Sequence, residues 1–353
     1  MSNNKRITIY DIAEKTNFSA VTVHRALNNK GRISQKTKSL ILETADKLGY
    51  KANPAAQGLR RAEIKIGAVL FCPIDEYVDD IISGIIASSA ELEKYNVSVD
   101  IKKIPYQNNK KCLDEMCRQI KDFTKNKYDG IIIFASSFLD EISELSSTIE
   151  LASKSGIFIA TVANDLPIEQ KTLHVGIDAF LAGQMAAELL SFSCKDKDVA
   201  LLTASKTSPI SIEYIKGFMN YSKENTFSNI SIYEHYDSEE KIAEVTERML
   251  RDNPNLSGIY ITSASSVLVC KCIADRNKSN LSIITTDLLF ETPKLLQNKI
   301  ANATIFQNPF KQGKMVTRFL YNYITSKTNT GTHLITPHII LSSNLKSYLF
   351  DND

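Results

Sequence analysis

Apolar residues in the first fifty positions recur at intervals of three and four, the spacing of one buried face on a short helix. Ile9, Ile12 and Ala13 form the first such stripe, and Thr8 stands where an N-cap belongs. Asn17-Phe18 interrupts the pattern. Ser19 then caps a second helix running to about Leu27, and Asn28-Asn29-Lys30-Gly31 makes a polar turn. Ser34 caps a third helix, whose inward residues are Ile41, Ala45 and Leu48 and whose stop is Gly49. Two short helices joined by a turn, with a third behind them, predict an all-α helix-turn-helix head over residues 1–50.

Residues 51–62 stand apart. Pro54 suits the first position of a short helix capped by Asn53, but Gly58 weakens it. So few residues are marginal as a helix in water, which predicts a linker able to order or melt.

From residue 64 onward the period changes. Short β-branched runs read as buried strands: Ile66–Phe71, Val97–Ile101, Gly130–Phe134, Ile157–Thr161, Val199–Thr203, Ile230–Tyr233, Gly258–Thr262, Leu281–Thr285 and Ala303–Phe306. Amphipathic segments lie between them, such as Asp80–Lys94, Cys112–Lys125, Phe180–Phe192, Ser211–Lys223 and Glu239–Leu250. Strict alternation implies parallel sheets covered by helices on both faces. The strands are too many for one open sheet, so the expected α/β domain, residues 63–345, has two doubly wound parallel-sheet lobes. Their break is expected near Asn164–Lys171, a polar stretch holding Pro167, and residues 346–353 are left as a tail. Ligands of such sheets bind beyond the carboxyl ends of the strands, which makes the cleft between lobes the expected pocket.

Charge sharpens this division. The chain carries +2 overall, but residues 1–62 hold twelve Lys and Arg against four acids, +8, leaving −6 on the rest. A basic end on an otherwise acidic chain is the footprint of a polyanion-binding module. No segment approaches the roughly 18–20 apolar residues that cross a bilayer, and the N-terminus lacks the apolar core of a signal peptide. The expectation is a cytoplasmic protein without a membrane partner. Cys72, Cys112, Cys117, Cys194, Cys270 and Cys272 include no Cys-x-x-Cys and have no His near either close pair. They read as reduced core thiols, with no metal and no cofactor expected.

The run Thr8-Ile-Tyr-Asp-Ile-Ala13, then Phe18-Ser-Ala-Val-Thr-Val-His-Arg-Ala-Leu-Asn28, Ile33-Ser-Gln-Lys-Thr37 and Leu48-Gly-Tyr50, resembles the head of the lactose-repressor (LacI/GalR) family. The likeness continues through Asn53 and Ala56-Gln57-Gly-Leu59, the family's hinge pattern. Beyond it, Val175-Gly-Ile-Asp178, Ala182-Gly183, Gly217-Phe218, Thr285-Thr-Asp287 and Gln307-Asn-Pro with Gly313 resemble the family's effector domain, akin to periplasmic sugar-binding proteins. The resemblance implies a regulator, a repressor by expectation, that binds a pseudo-palindromic double-stranded DNA operator as a homodimer. A small-molecule effector, a carbohydrate or related metabolite, would sit between the lobes.

By that resemblance, Ala20, Val21 and Arg25 face base edges. Arg25 can make paired hydrogen bonds to a guanine, while Ala20 and Val21 offer apolar contact such as a thymine methyl accepts. Ala20 and Val21 replace larger polar groups of the best-studied pattern, and His24 stands where a serine is usual. Thr8, Tyr10, Ser19, Thr22, Asn28, Ser34 and Thr37 are candidate phosphate contacts, which position rather than specify, with simple helix capping the alternative for each; Arg32 is a further candidate DNA-binding residue. Asn53, Ala56, Gln57 and Leu59 would form the hinge helix, with Leu59 as a minor-groove wedge. Ala52 replaces the proline usual there. In the effector domain the resemblance implicates Tyr77, Asn164, Asp165, Tyr214, Ser263, Asp287 and Gln307. Tyr214 occupies a place where sugar-binding members commonly carry arginine.

Two other classes compete. An enzyme would call for a phosphate-binding glycine loop or a nucleophile elbow, and the chain has neither. Its histidines, at 24, 174, 235, 333 and 338, are scattered, so no catalytic residue is expected. A solute-binding receptor of periplasmic type would share the two-lobed domain but has no use for the basic head.

Overall fold

The computed structural model describes residues 7–27, 31, 33–50, 62–135, 142–224, 226–236, 238–263, 265–274, 280–289 and 291–349. Asn28, Arg32 and the hinge positions Asn53, Ala56, Gln57 and Leu59 lie outside the described residues. The chain divides into two units, Met1–Arg61 and Ala62–Asp353.

The first unit is built by capping as much as by burial. α1 (Ile9–Thr16) opens on a reciprocal box: Thr8 Oγ1 accepts from the Asp11 amide, and the Thr8 amide donates to Asp11 Oδ2 at 2.6 Å. Asn17 closes α1 in the left-handed region, φ 54°, which asparagine tolerates. Ser19 Oγ accepts the Thr22 amide at the start of α2 (Ala20–Leu27), and Ser34 Oγ the Thr37 amide at the start of α3 (Gln35–Lys47), each at 3.1 Å. Gly49, at φ +66°, lets Tyr50 N–H return to Ala45 O and end α3. One core residue of α1 (Ile12), two of α2 (Val23, Ala26) and two of α3 (Ile41, Ala45) meet inside, ringed by Ile9, Phe18, Leu27, Ile33 and Leu48.

The second unit holds two sheets. The first contains β1 (Ile64–Phe71), β2 (Val97–Lys103), β3 (Gly130–Ala135), β4 (Phe158–Val162), β5 (Lys171–Ile177) and β11 (Gly331–Ile335), in the order β11-β5-β4-β3-β1-β2. The second contains β6 (Asp198–Thr203), β7 (Asn229–Glu234), β8 (Leu256–Ile261), β9 (Ser282–Thr286), β10 (Ala303–Phe306) and β12 (His338–Ile340), in the order β12-β10-β9-β8-β6-β7. Among the described strands every pairing is parallel except β10 with β12. Parallel strands buried on both faces lose visible alternation. In β3, Ile132 and Phe134 enter one core layer while Ile131, Ile133 and Ala135 enter the other.

Helices cover both sheets: α4 (Asp75–Leu92), α5 (Asn109–Lys125) and α6 (Ile142–Lys154) on the first; α7 (Ala179–Cys194), α8 (Pro209–Tyr221), α9 (Glu239–Asp252), α10 (Ser266–Ala274) and α11 (Thr292–Gln297) on the second. α12 (Pro309–Ser326) follows β10 of the second sheet yet packs on β3, β4 and β5 of the first.

Three expected features therefore change. The lobes do not part at Asn164–Lys171, because β5 begins at Lys171 and still belongs to the first sheet. The chain crosses after β5, returns after β10, and crosses again between β11 and β12. β5, β11 and β12 were not legible as apolar runs, because β5 contains Lys171, Thr172 and His174 and the other two are edge strands. Within the expected tail, α13 (Lys346–Leu349) carries Tyr348, whose ring meets Phe306 edge-on at 5.9 Å. All six cysteines are free thiols, four of them buried.

Each lobe has one helix crossing closed by glycines. A Cβ on Gly84 of α4 would lie 1.9 Å from Phe310 O of α12, and one on Gly313 would lie 2.1 Å from Ile81 O of α4. In the second lobe Gly183 of α7 and Gly217 of α8 meet Tyr214 O and Phe180 O in the same way, at 2.1 and 1.9 Å. Backbone lies where a side chain would go. Gly84→Ala should therefore lower unfolding free energy by about 1–3 kcal/mol through overpacking, although alanine is the better helix former. Ala90→Ser, on the exposed side of the same helix, should change it by under about 0.5 kcal/mol. Urea denaturation of the two variants measures the contrast.

Candidate functional site

Two regions collect the implicated side chains. In the head they lie on the outer face of α2 and around the three caps. Val23 and Ala26 turn inward, which leaves Val21 60% exposed and Arg25 exposed. Ala20, Thr22 and His24 are half-buried. Tyr10 on α1 is 76% exposed. Ser19 and Ser34 are engaged as caps, and their hydroxyls also pair with those of Thr22 at 2.9 Å and Thr37 at 2.7 Å. Thr8 is held by Asp11.

In the second unit the strand ends bring lobe-two groups together around one acid. Asp287 follows β9 at φ +66°, a left-handed position where a branched or bulky side chain would be strained. Its amide donates to Ile305 O at 2.9 Å, and its carbonyl accepts Thr304 Oγ1 at 2.7 Å, so neighbouring β10 fixes the turn. The carboxylate is 1% exposed. It accepts Gln307 N–H at 3.1 Å and Gln307 Nε2 at 2.7 Å. Gln312, in the first turn of α12, donates through Nε2 to Gln307 O at 2.9 Å and to Tyr77 Oη at 3.5 Å. Tyr77 belongs to α4 of the first lobe. A hydrogen-bonded chain thus runs from Tyr77 through Gln312 and Gln307 to Asp287, from one lobe into the other.

Burial dominates the electrostatics. Desolvation, only partly offset by the Gln307 hydrogen bonds, pushes the Asp287 carboxyl up to about 7. Burial, followed by the Asp287 charge, raises the Tyr77 phenol. Burial, then Tyr260, then Asp287 raise that of Tyr214. Tyr214 stands 6.2 Å from Tyr260, ring centre to ring centre, and its buried hydroxyl has no hydrogen-bond partner. Gln312 Oε1 is likewise buried without one.

Tyr77, Tyr214, Asp287 and Gln307 of the implicated set therefore form one group. The remaining three bond elsewhere. Asn164 donates to Ala135 O at 3.1 Å, bridging the ends of β4 and β3. Asp165 pairs with Lys171 and lies 3.8 Å from His174 Nδ1. Burial drives His174 down to about 4 despite Asp165, and its Nδ1 is 2.9 Å from Thr161 Oγ1. Ser263 bonds to buried His235 Nε2 at 3.2 Å. Gln312, Tyr260 and His235 were not singled out from the sequence. Gln312 had a signal: it precedes Gly313 in the same stretch as Gln307. Tyr260 and His235 had none, since one sits within an apolar strand and the other just past a strand end. No group of three or more His, Cys, Asp and Glu among the described residues is arranged to hold a metal ion. No described helix is long and apolar enough to cross a membrane.

Residues 8–53 match the family model described as bacterial regulatory proteins, lacI family. Residues 68–328 match the periplasmic binding protein domain. The chain belongs to the lacI family of bacterial regulatory proteins. Catabolite control protein A of Priestia megaterium is 23% identical over 95% of this chain and 97% of its own length. The sucrose operon repressor of Lactococcus lactis subsp. lactis is 22% identical over 86% and 88%. Among solved structures, GanP, a glucose-galactose binding protein from Geobacillus stearothermophilus, superposes with a TM-score of 0.69 at 23% identity, over 81% of this chain and 99% of that one. This lacI-family protein is thus a DNA-binding transcriptional regulator carrying a two-lobed binding domain. The competing reading, a receptor without a transcriptional role, fails on the match over residues 8–53.

The buried acid gives this regulator a pH signature. A carboxyl raised from about 4 unfolded to about 7 folded makes the native state bind the extra proton between those values. Stability therefore falls as pH rises through that window. Asp287→Asn removes the titration, so it should gain about 2–4 kcal/mol on the wild type between pH 4 and pH 8. Urea midpoints measured for both across that range test the sign; a gap independent of pH would refute it.

Proposed function

We propose that this regulator works in the cytoplasm as a homodimer on a pseudo-palindromic operator, and that a small molecule in the cleft between the lobes sets its affinity for DNA. The observation that carries the effector half is the hydrogen-bonded chain Tyr77–Gln312–Gln307–Asp287, which joins the lobes through buried polar groups. Buried groups with unused hydrogen-bonding capacity are costly, and a polar ligand relieves that cost. The composition of the site, two glutamines and a carboxylate among tyrosines, suits a carbohydrate or related polyhydroxylated metabolite.

The DNA half rests on α2. Val21 and Arg25 stand exposed on a helix whose other face is core, as a major-groove reader requires. In this reading Ala20, Val21 and Arg25 meet base edges, with His24 beside them. Thr8, Tyr10, Ser19, Thr22, Asn28, Ser34 and Thr37 meet the phosphates, and Arg32 also binds DNA. Asn53, Ala56, Gln57 and Leu59 act as the hinge, with Leu59 prising open a base step in the minor groove. Occupancy of the cleft by ligand alters the relation of the lobes, and the hinges of the dimer respond by ordering or melting. A coupling of about 1–3 kcal/mol changes operator affinity roughly 5–150-fold.

Two outcomes test this. Arg25→Ala should weaken binding to the cognate operator by about 1–3 kcal/mol while leaving non-specific affinity within severalfold, read by fluorescence anisotropy at fixed salt. Equal losses on cognate and unrelated duplexes would remove Arg25 from base recognition. For the effector, a panel of sugars and central metabolites should contain a compound that raises the melting temperature of the full-length protein, and Asp287→Ala should abolish that shift. Silence across the panel would count against sensing in this cleft.

A further inference from the structure

Among the described residues, the charges that act on the buried groups of the cleft are negative. Asp287 is buried, and among the described residues the donors to its carboxylate are the two from Gln307. Asp80, one turn beyond Tyr77 on α4, is raised by burial and then by Asp79. Lys103 is already engaged with Asp79 at 2.7 Å and with Asp75 at 2.9 Å. The phenols of Tyr77, Tyr214 and Tyr260 all feel the negative charge of Asp287. Among the described residues, no lysine or arginine hydrogen-bonds or ion-pairs with any of these five groups.

Three buried atoms here have no hydrogen-bond partner: Gln312 Oε1, which can only accept, and the hydroxyl oxygens of Tyr214 and Tyr260. A ligand that completes this site must supply donors. A neutral polyol supplies them but leaves the carboxylate desolvated without a counter-charge. An anion adds repulsion to the same cost. A protonated amine brings three donors and the missing charge together, in a place where a desolvated cation also gains from surrounding phenol rings.

We propose that the effector carries a protonated amine, as an amino sugar or a similarly sized hydroxylated amine does, and that Asp287, Gln312 and Tyr214 receive it. This rests on the reading of the cleft as the effector site and adds the chemical class. It also accounts for tyrosine at 214: an arginine there would place a second cation against the ligand.

Isothermal titration of the full-length protein at neutral pH and low salt tests it with three matched sets: glucose, galactose and mannose, each beside its 2-amino sugar and its uronate. At least one amino sugar should bind about tenfold or more tightly than its parent hexose, a difference of about 1.4 kcal/mol, and its uronate more weakly than either. Asp287→Asn, checked for folding by thermal denaturation, should bring amino sugar and parent to similar affinity. A hexose that binds as well as its amino derivative, or a uronate that binds best, overturns the amine assignment and leaves the cleft standing as an effector site. Silence from all three sets overturns the assignment too, and the wider metabolite panel then decides the effector reading separately.

Discussion

A carboxylate at the end of β9, with its neighbours in place and water shut out, organises the larger unit of this regulator. Asp287 is held by Ile305 O and the Thr304 hydroxyl of β10 on one side and by both nitrogens of Gln307 on the other. Removing a charge from water costs several kcal/mol unless partners replace the solvent. Two donors from one residue replace only part of it, and the acid responds by holding its proton up to about neutrality. The same burial raises the phenols of Tyr77 and Tyr214, and the Asp287 charge adds to it.

The glutamine relay from Asp287 to Tyr77 matters because of how the chain crosses between lobes. α12 begins at the end of β10 in the second lobe and packs on the first, so Gln312 in its first turn touches groups from both. The glycine crossing of Gly84 and Gly313 presses α12 against α4, and α4 carries Tyr77. Tight backbone contact makes this junction stiff, since overlap there cannot be absorbed by rotating a side chain. The head needs no comparable chemistry. Its job is presentation, and three side-chain caps around five core residues suffice to hold α2 with Val21 and Arg25 outward.

Much of this was legible beforehand. The caps Thr8, Ser19 and Ser34, the core residues Ile12, Ile41 and Ala45, and nine strand cores followed from spacing, because capping and amphipathic period are local properties. Less visible were β5, β11 and β12. β5 is broken by polar residues that pair within its own lobe, such as His174 with Thr161, and edge strands are not buried enough to read as apolar runs. The expected lobe break at Asn164–Lys171 failed for the same reason: a polar stretch marks a loop, and a loop does not reveal whether the next strand stays in its sheet.

The sequence by itself determined the division of labour: a basic, capped helical head followed by alternating strands and helices, with Asp287 and Gln307 at strand ends. Those are consequences of period, charge and cap chemistry within a few residues of one another. Only the tertiary structure decided which implicated residues lie together. It joined Tyr77 and Tyr214 to Asp287 across more than seventy residues of chain, recruited Gln312 and Tyr260, and drew Asn164, Asp165 and Ser263 into other bonds. Burial and the sign of the surrounding charge are sums over neighbours in space, and no local pattern carries that sum.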